Sequence, residues 1–395
     1  MDRVDAVVVG GGTVGAWAAC FLAEAGLSVV LVEAATLGSG ASSRAAGMVR
    51  AQGGTEAAIR LGLFSRDFYT SQPDHYPLDS GFVAQGYLMP CFSDNDAAAA
   101  LERIALQRSL GLDVEWLDAD EVDRRETGLA PGVTRGASYA AGDGYLDAPR
   151  NVLAYTAALL GLGVDVHEHR AFTGLRVTDG RAVGVDTAEG PIEAAAVVLT
   201  GGPDLSAVGA LAGARIAAGG TRHQVVVTAP VPDVDVHGLP MVFDVASGIY
   251  WRPGEGGGLL WGMSNPDEQP GRAREFDWAY FELMRARVAM LFPATAGLGV
   301  RRAWAATIDY TPDHLPIIGP LLRDDGPVAG TVVASAGGHG MMWGPGVARA
   351  AADLVLAGRT DLLDVTDLGL DRFDADGRSR LAADPIALPF PQRTH

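Results

Sequence analysis

The chain opens on VDAVVVG, an unbroken apolar run of the kind a parallel strand buried on both faces requires. TVGAWAACFLAEAG follows with apolar residues at helical spacing and stops on Gly26. LSVVLVEA then restores strand character, so residues 4–33 predict a strand, a tight turn, a helix and a second strand. Small residues and glycine predict a loop over 35–54, and helices are expected over 55–70, 96–111 and 151–161. GFVAQGYLMPCF between the first two reads as strand, and EWLDADEVDRRE as a short acidic helix. Strands separated by turn residues run through VDVHEHR, TGLRVTDGRAVGVDTAEG and AAVVLTGGP. They resume from 221 to 265 in HQVVVTAP, MVFDV, GIYWRP and GLLWGMS. A helix over 275–292, a strand at TVVASAGG, a helix over 345–357 and a proline-containing irregular tail complete the pattern. No internal repeat or low-complexity linker separates α/β from β-rich stretches, so two interleaved domains are expected.

The first turn carries chemistry. Gly10, Gly12 and Gly15 form G-x-G-x-x-G between strand and helix, and Glu33 ends the next strand. The first glycine permits the turn, the second lets a pyrophosphate approach the backbone, and the third lets helix and strand pack closely. The helix N-terminus favours the phosphate charge, and Glu33 suits a ribose hydroxyl but disfavours a 2′-phosphate. The motif alone leaves NAD and FAD open. No second copy is present to dock NAD(P)H beside a flavin.

Composition narrows the chemistry. The chain has 395 residues, more than one core usually serves, and 48% of them are hydrophobic. Thirty basic residues stand against 48 acidic ones, a net charge of −18 that argues against nucleic acid or an anionic membrane as partner. All of the basic residues are arginine, which excludes lysine Schiff bases and P-loop lysines. Cys20 and Cys91 are too far apart in sequence to suggest a thiolate metal site or dithiol chemistry. HEH at 167–169 puts two imidazoles on one strand face without a third ligand nearby, so no metal is expected. The apolar run of MDRVDAVVVGGG is too short for a signal peptide, and a soluble cytoplasmic protein is expected.

Several segments taken together resemble the FAD-dependent D-amino-acid oxidase superfamily, in its sarcosine oxidase-like, dimethylglycine dehydrogenase-like and glycine oxidase-like branch. They are the first βαβ unit, GSGASSRAAGMVR, GDGYLDAPR, AAVVLTGGP, TRHQVVVTAP, GIYWRP, RRAWAATIDYTPDHLPIIGP and ASAGGHGMMWGPGVARAAADLV. The resemblance implies an α/β fold with a Rossmann-type FAD domain over 1–85, 145–215 and 300–395. A mostly antiparallel substrate domain would occupy 86–144 and 216–299. It implies FAD as cofactor and oxidation of a C–N bond in an amino acid or N-methyl amine, with oxygen or another acceptor taking the electrons. A 2-hydroxy acid dehydrogenase and a flavin subunit of a larger oxidase are the alternatives, and oligomers are possible. Around the flavin it places Thr13, Val14, Ala34, Arg44, Gly47 and Met48. It also places Ala171, Thr200, Gly201, Gly202, Gly338, Gly340, Met341 and Met342 there.

Departures from the family pattern matter as much. Arg44 stands where some relatives attach flavin through histidine, and Ala306 where others use cysteine, so dissociable FAD is expected. Ile308 and Met342 replace the carboxylate-holding arginine and lysine of two kinds of relative.

Individual residues carry two readings each. His339, between glycines before a helix, is a flavin-facing ring or a loop histidine. Arg50 is a substrate-facing cation or a surface arginine. Tyr250 and Arg252 flank Trp251, so a strand face presents a phenol and a guanidinium to a pocket, or merely lies at an edge. Ser42 and Ser43 bond a pyrophosphate or cap a turn. Met341, Met342 and Trp343 are expected against the flavin ring, and Pro345 in the first turn of the last helix.

Overall fold

The computed structural model describes residues 3–388. The ends of the expected flavin domain, residues 1–2 and 389–395, lie outside them. Two sheets of eight strands organise the chain. In the first, Val4–Val9 runs parallel between Val29–Val32 and Ile192–Leu199, and Thr331–Ser335 extends the parallel set. Four of the six residues of Val4–Val9 are buried, as a strand covered on both faces demands. Helix Thr13–Glu24 covers one face with Trp17 and Leu22, joined by Tyr155, Trp343 and Val347. The opposite face packs Phe172, Val185, Ile216 and Leu321.

The second sheet runs Val300–Tyr310, Gly219–Thr228, Leu259–Ser264, Ile249–Pro253, Met241–Asp244, Tyr87–Cys91, Gly136–Ala140 and Glu115–Asp118. All neighbours are antiparallel except Met241–Asp244 with Tyr87–Cys91. Strand alternation divides its side chains between two faces. Trp251 and Trp261 turn to one face, under helix Trp278–Leu291 with Phe281 and Met284. Tyr87, Phe243 and Tyr250 turn to the other, which looks onto the first sheet's loops.

Three expectations from sequence need adjustment. Val300–Tyr310 pairs along Gly219–Thr228, so the second sheet extends past residue 299. EWLDADEVDRRE divides into strand Glu115–Asp118 and helix Ala119–Arg124, because Asp118 caps the helix through the Glu121 amide. The last long helix begins at Gly340, placing Pro345 inside it rather than in its first turn. The interruption is repaired locally: the Gly346 N–H donates to Ser65 Oγ at 3.1 Å.

Helix starts fall into two groups. Five helices carry a side-chain cap, from Thr55, Ser93, Asp118, Asp147 and Asp277. Short helix Leu205–Leu211 has none, and neither do Thr13–Glu24 and Gly340–Ala357, which begin after Gly12 and His339. The starts of the last two face the same cleft.

Candidate active site

That cleft has a volume of about 750 Å³ and lies between the loops of the first sheet and the inner face of the second. At its nucleotide end, Gly10 has φ +102°, a conformation that favours glycine. A Cβ on Gly15 would lie 2.0 Å from the Gly10 carbonyl oxygen, so only glycine permits this helix to sit on its strand. Glu33 accepts the Gly11 N–H at 2.7 Å through one oxygen and the Ala35 N–H at 2.8 Å through the other. Each oxygen keeps a lone-pair direction for a ribose hydroxyl. Ser42 Oγ accepts the Thr13 N–H at 3.0 Å, which ties the glycine-rich loop to the first helix start.

The cleft also takes in Val14, Ala34, Arg44, Gly47, Met48, Ala171, Thr200, Gly201 and Gly202. Ser43 is the exception in this group and does not line it: its backbone N–H is spent on the Gly38 carbonyl. The loop is pinned from the second sheet. Trp304 Nε1 donates to the Arg44 carbonyl at 2.9 Å, and Arg252 Nε to the Ala46 carbonyl at 2.7 Å. Arg252 lies over the Tyr145 ring and does not line the cleft. Its guanidinium therefore braces the loop, whereas the strand pattern had it facing a substrate pocket.

At the other end, Arg50 is 3% exposed, which rules out the surface reading. Its Nη1 donates to the Gln52 carbonyl and its Nη2 to the Ile386 carbonyl, with the Phe243 ring alongside. Among the described residues no carboxylate lies within ion-pair distance of it, and Nε has no hydrogen-bond partner. Buried Asp143 and Asp384 act on it through space without pairing directly, so an anion in the cleft would be its first direct ionic partner.

Tyr250 faces the cleft in a chain of side chains. Its hydroxyl lies 2.6 Å from His223 Nε2, and His223 Nδ1 lies 2.9 Å from Ser264 Oγ. The register explains the reach. Tyr250 stands opposite Gly262, where a Cβ would come within 2.5 Å of the phenol oxygen. The missing side chain lets the phenol cross that strand to His223 on the next. Burial lowers the His223 pKa to about 4 and raises that of Tyr250. The ring is neutral, and either tautomer satisfies both bonds, so it can pass a proton to or from the phenol without gaining charge.

His339 is buried at the second uncapped helix start. Its Nδ1 donates to the Gly337 carbonyl at 3.1 Å and its ring packs on Trp343. Burial, reinforced by Arg50 and His314, lowers its pKa to about 3, so this imidazole is neutral too. Gly338, Gly340, Met341 and Met342 share the lining. Trp343 does not: it is fully buried beneath His339 in the helix core. Ile308 and Met342 both face the cleft, so the two replaced clamps lie on its wall.

Sequence reasoning missed His223, Tyr87, Phe243, Asp309 and Leu388 in this lining, and Arg272 and Arg274 as well. His223 had a signal only through register, since it pairs with Ser264 across two strands. Asp309 accepts Ser335 Oγ at 2.8 Å, and burial raises its pKa.

The lining fits a dinucleotide. Two uncapped helix starts and a glycine turn meet in one elongated cleft, and a Cβ built on Gly340 or Gly202 would meet nothing within 4 Å. A Rossmann-type half joined to a sheet-walled half defines a two-domain flavin oxidoreductase. The chain belongs to the family described as FAD dependent oxidoreductase, whose model matches residues 5–354. It is an FAD-dependent enzyme of that family.

Two curated relatives and one solved structure illustrate the likeness. Identity is 28% with the 4-methylaminobutanoate oxidase (formaldehyde-forming) of Paenarthrobacter nicotinovorans, over 96% of this chain but 46% of that protein. With the glycine oxidase of Geobacillus kaustophilus (strain HTA426) it is 30%, over 80% of this chain and 84% of the relative. L-proline dehydrogenase from P. horikoshii superposes with a TM-score of 0.84 at 25% identity, covering 91% of this chain and 95% of that one. Among the described residues, no helix is long and apolar enough to cross a membrane.

Proposed function

We propose that this protein oxidises the C–N bond of an amino acid or a secondary or N-methyl amine, using non-covalently held FAD. The observation that carries the reading is one cleft in which a dinucleotide cradle meets a buried Arg50 with no direct ion pair and the Tyr250–His223–Ser264 chain. The named relatives act on substrates of this class.

The cradle residues Gly10, Gly12, Gly15, Glu33 and Ser42 would hold the nucleotide, and residues 338–342 would line its redox end. When bound, FAD would supply a two-electron acceptor for the hydride on the carbon beside nitrogen; the nitrogen would lose its proton to give an imine open to hydrolysis. The protein's own part is orientation and charge. Arg50 holds an acidic group of the substrate, and Phe243 and Tyr87 exclude water beside it. Tyr250, its hydroxyl donating to neutral His223, accepts a hydrogen bond from the substrate nitrogen and so orients it. The helix start at Gly340 stabilises negative charge nearby through its free amides. With Arg44 and Ala306 at the two attachment positions, acid precipitation should release all flavin into solution. A cytoplasmic setting, with oxygen or another acceptor, belongs to the same proposal.

The test is anaerobic. Purified protein should be yellow and should bleach with at least one member of a panel of N-methyl amino acids, secondary amines and amino acids. Bleaching only by 2-hydroxy acids, or by none of the panel, would overturn the assignment.

A further inference from the structure

Residues 381–388 return to the cleft. Its docking starts at Asp313, the acid of the T-P-D motif, which forms a fully buried ion pair with Arg372 at 2.7 Å and accepts Ser379 Oγ at 2.6 Å. The Asp313 carbonyl accepts the Asp384 N–H at 3.2 Å, and the Asp384 carboxylate accepts the Ile386 N–H at 3.0 Å. Ile386 is fully buried in the same apolar cluster as Tyr87, Phe243 and Tyr250. Its carbonyl is the acceptor for Arg50 Nη2 at 2.8 Å. Two residues on, Leu388 lines the cleft. Gly54 supplies the room: a Cβ there would lie 2.3 Å from Asp384 Oδ1 and 2.7 Å from the Pro385 ring, and meets nothing nearer.

We propose that residues 384–388 form a fixed wall of the substrate end, and that Leu388 sets the largest apolar substituent the site accepts. The inference rests on the reading that this end takes a small acidic amine or amino acid. Arg50 and Leu388 then divide the work. The guanidinium, aimed by the Ile386 carbonyl, fixes the acidic group, and the leucine limits the carbon chain beside it. Specificity of this kind arises from a segment more than 330 residues away in sequence from the arginine it positions.

The experiment uses flavin-loaded wild type, Leu388→Ala, Leu388→Trp and Gly54→Ala. Unreactive acetate, butyrate and hexanoate are titrated against the flavin absorbance spectrum. A second series follows anaerobic flavin reduction by N-methyl amino acids of increasing side-chain length. Leu388→Ala removes three carbons, and burying about two more ligand methylenes in that space should shift the hexanoate-to-acetate affinity ratio about tenfold toward hexanoate. Leu388→Trp should shift it the opposite way. Gly54→Ala, which strikes the strap and not the cleft, should move with Leu388→Ala while flavin content stays at the wild-type level. A ratio unchanged within twofold in all three variants, or no carboxylate binding at all, would overturn the wall. If the ratios shift but no amine or amino acid reduces the flavin, the wall stands and the proposed reaction falls.

Discussion

The two ends of the cleft are built by opposite means. The nucleotide end is local: backbone shape within residues 10–15 and the first helix start create the cradle, and the Glu33 and Ser42 side chains brace it from within the first 42 residues. The substrate end is assembled across the fold. Tyr250 and His223 sit two strands apart, Arg50 comes from a loop of the other domain, and the backbone that orients Arg50 comes from residue 386. A cradle for an invariant phosphate needs fixed amides, which glycine geometry supplies. A pocket for a particular substrate needs side chains aimed from several directions, which only register and docking supply.

The largest expected effect lies in the local end. Gly15→Ala would drive a Cβ to 2.0 Å from the Gly10 carbonyl, so strand and helix must part, at a cost of about 3 kcal/mol or more. Little soluble, flavin-containing protein should be recovered. Gly12→Ala sharpens the contrast, because its Cβ would meet only Ser42 Oγ at 3.3 Å. That variant should melt within a few degrees of wild-type apoprotein yet bind FAD at least tenfold more weakly by fluorescence quenching. Equal FAD affinity would show that the phosphates do not pass over this turn.

At the substrate end, Tyr250→Phe and Gly262→Ala should act alike although only one removes a polar group. The first deletes the hydroxyl that meets His223, and the second pushes it aside. Both should slow anaerobic flavin reduction roughly tenfold to a hundredfold, with flavin content unchanged. A normal rate in Gly262→Ala would separate the phenol's position from catalysis and leave it a packing role.

This contrast also explains what was legible in the sequence. The glycine turn, Glu33 and the flavin-loop residues could be read because their chemistry lies within a short stretch. Arg252 was misread for the same reason: alternation put it on the Tyr250 face, but it is taken by the Ala46 carbonyl and the Tyr145 ring. His223 and Leu388 carry no local pattern, since what makes them part of the cleft is a strand register and a tail returning from residue 380. Pro345 was placed by a statistical preference that the Ser65 contact to Gly346 overrides.

Arg252→Met tests the brace between the two ends. It removes two half-buried hydrogen bonds, to the Ala46 and Pro253 carbonyls, and a guanidinium–ring contact while keeping most of the side-chain volume. Stability should fall by about 2 kcal/mol in chemical denaturation. The reduction rate of the flavin-loaded enzyme should change less than in Tyr250→Phe. A rate loss as large as for Tyr250→Phe, with stability intact, would return Arg252 to the substrate site.

The smallest effect belongs to His339, which stands where the two ends meet. Its folded pKa of about 3 lies well below that of an exposed imidazole, so between those values the unfolded chain binds more protons than the folded one. Stability contributed by the neutral ring is therefore present above about pH 6.5 and is lost as pH falls toward 3. The raised carboxyls of Asp143, Asp309 and Asp384 act with the opposite sign, since each favours the folded state at low pH and loses that advantage as pH rises. Comparing wild type with His339→Asn cancels those contributions and that of His223, which is common to both proteins. The drop in unfolding free energy from pH 7 to pH 5 should be smaller in the variant by roughly 1–2 kcal/mol. An identical drop in both proteins would mean that folded His339 takes up its proton as readily as an exposed imidazole, so that the Gly340 helix start would face an imidazolium at pH 5.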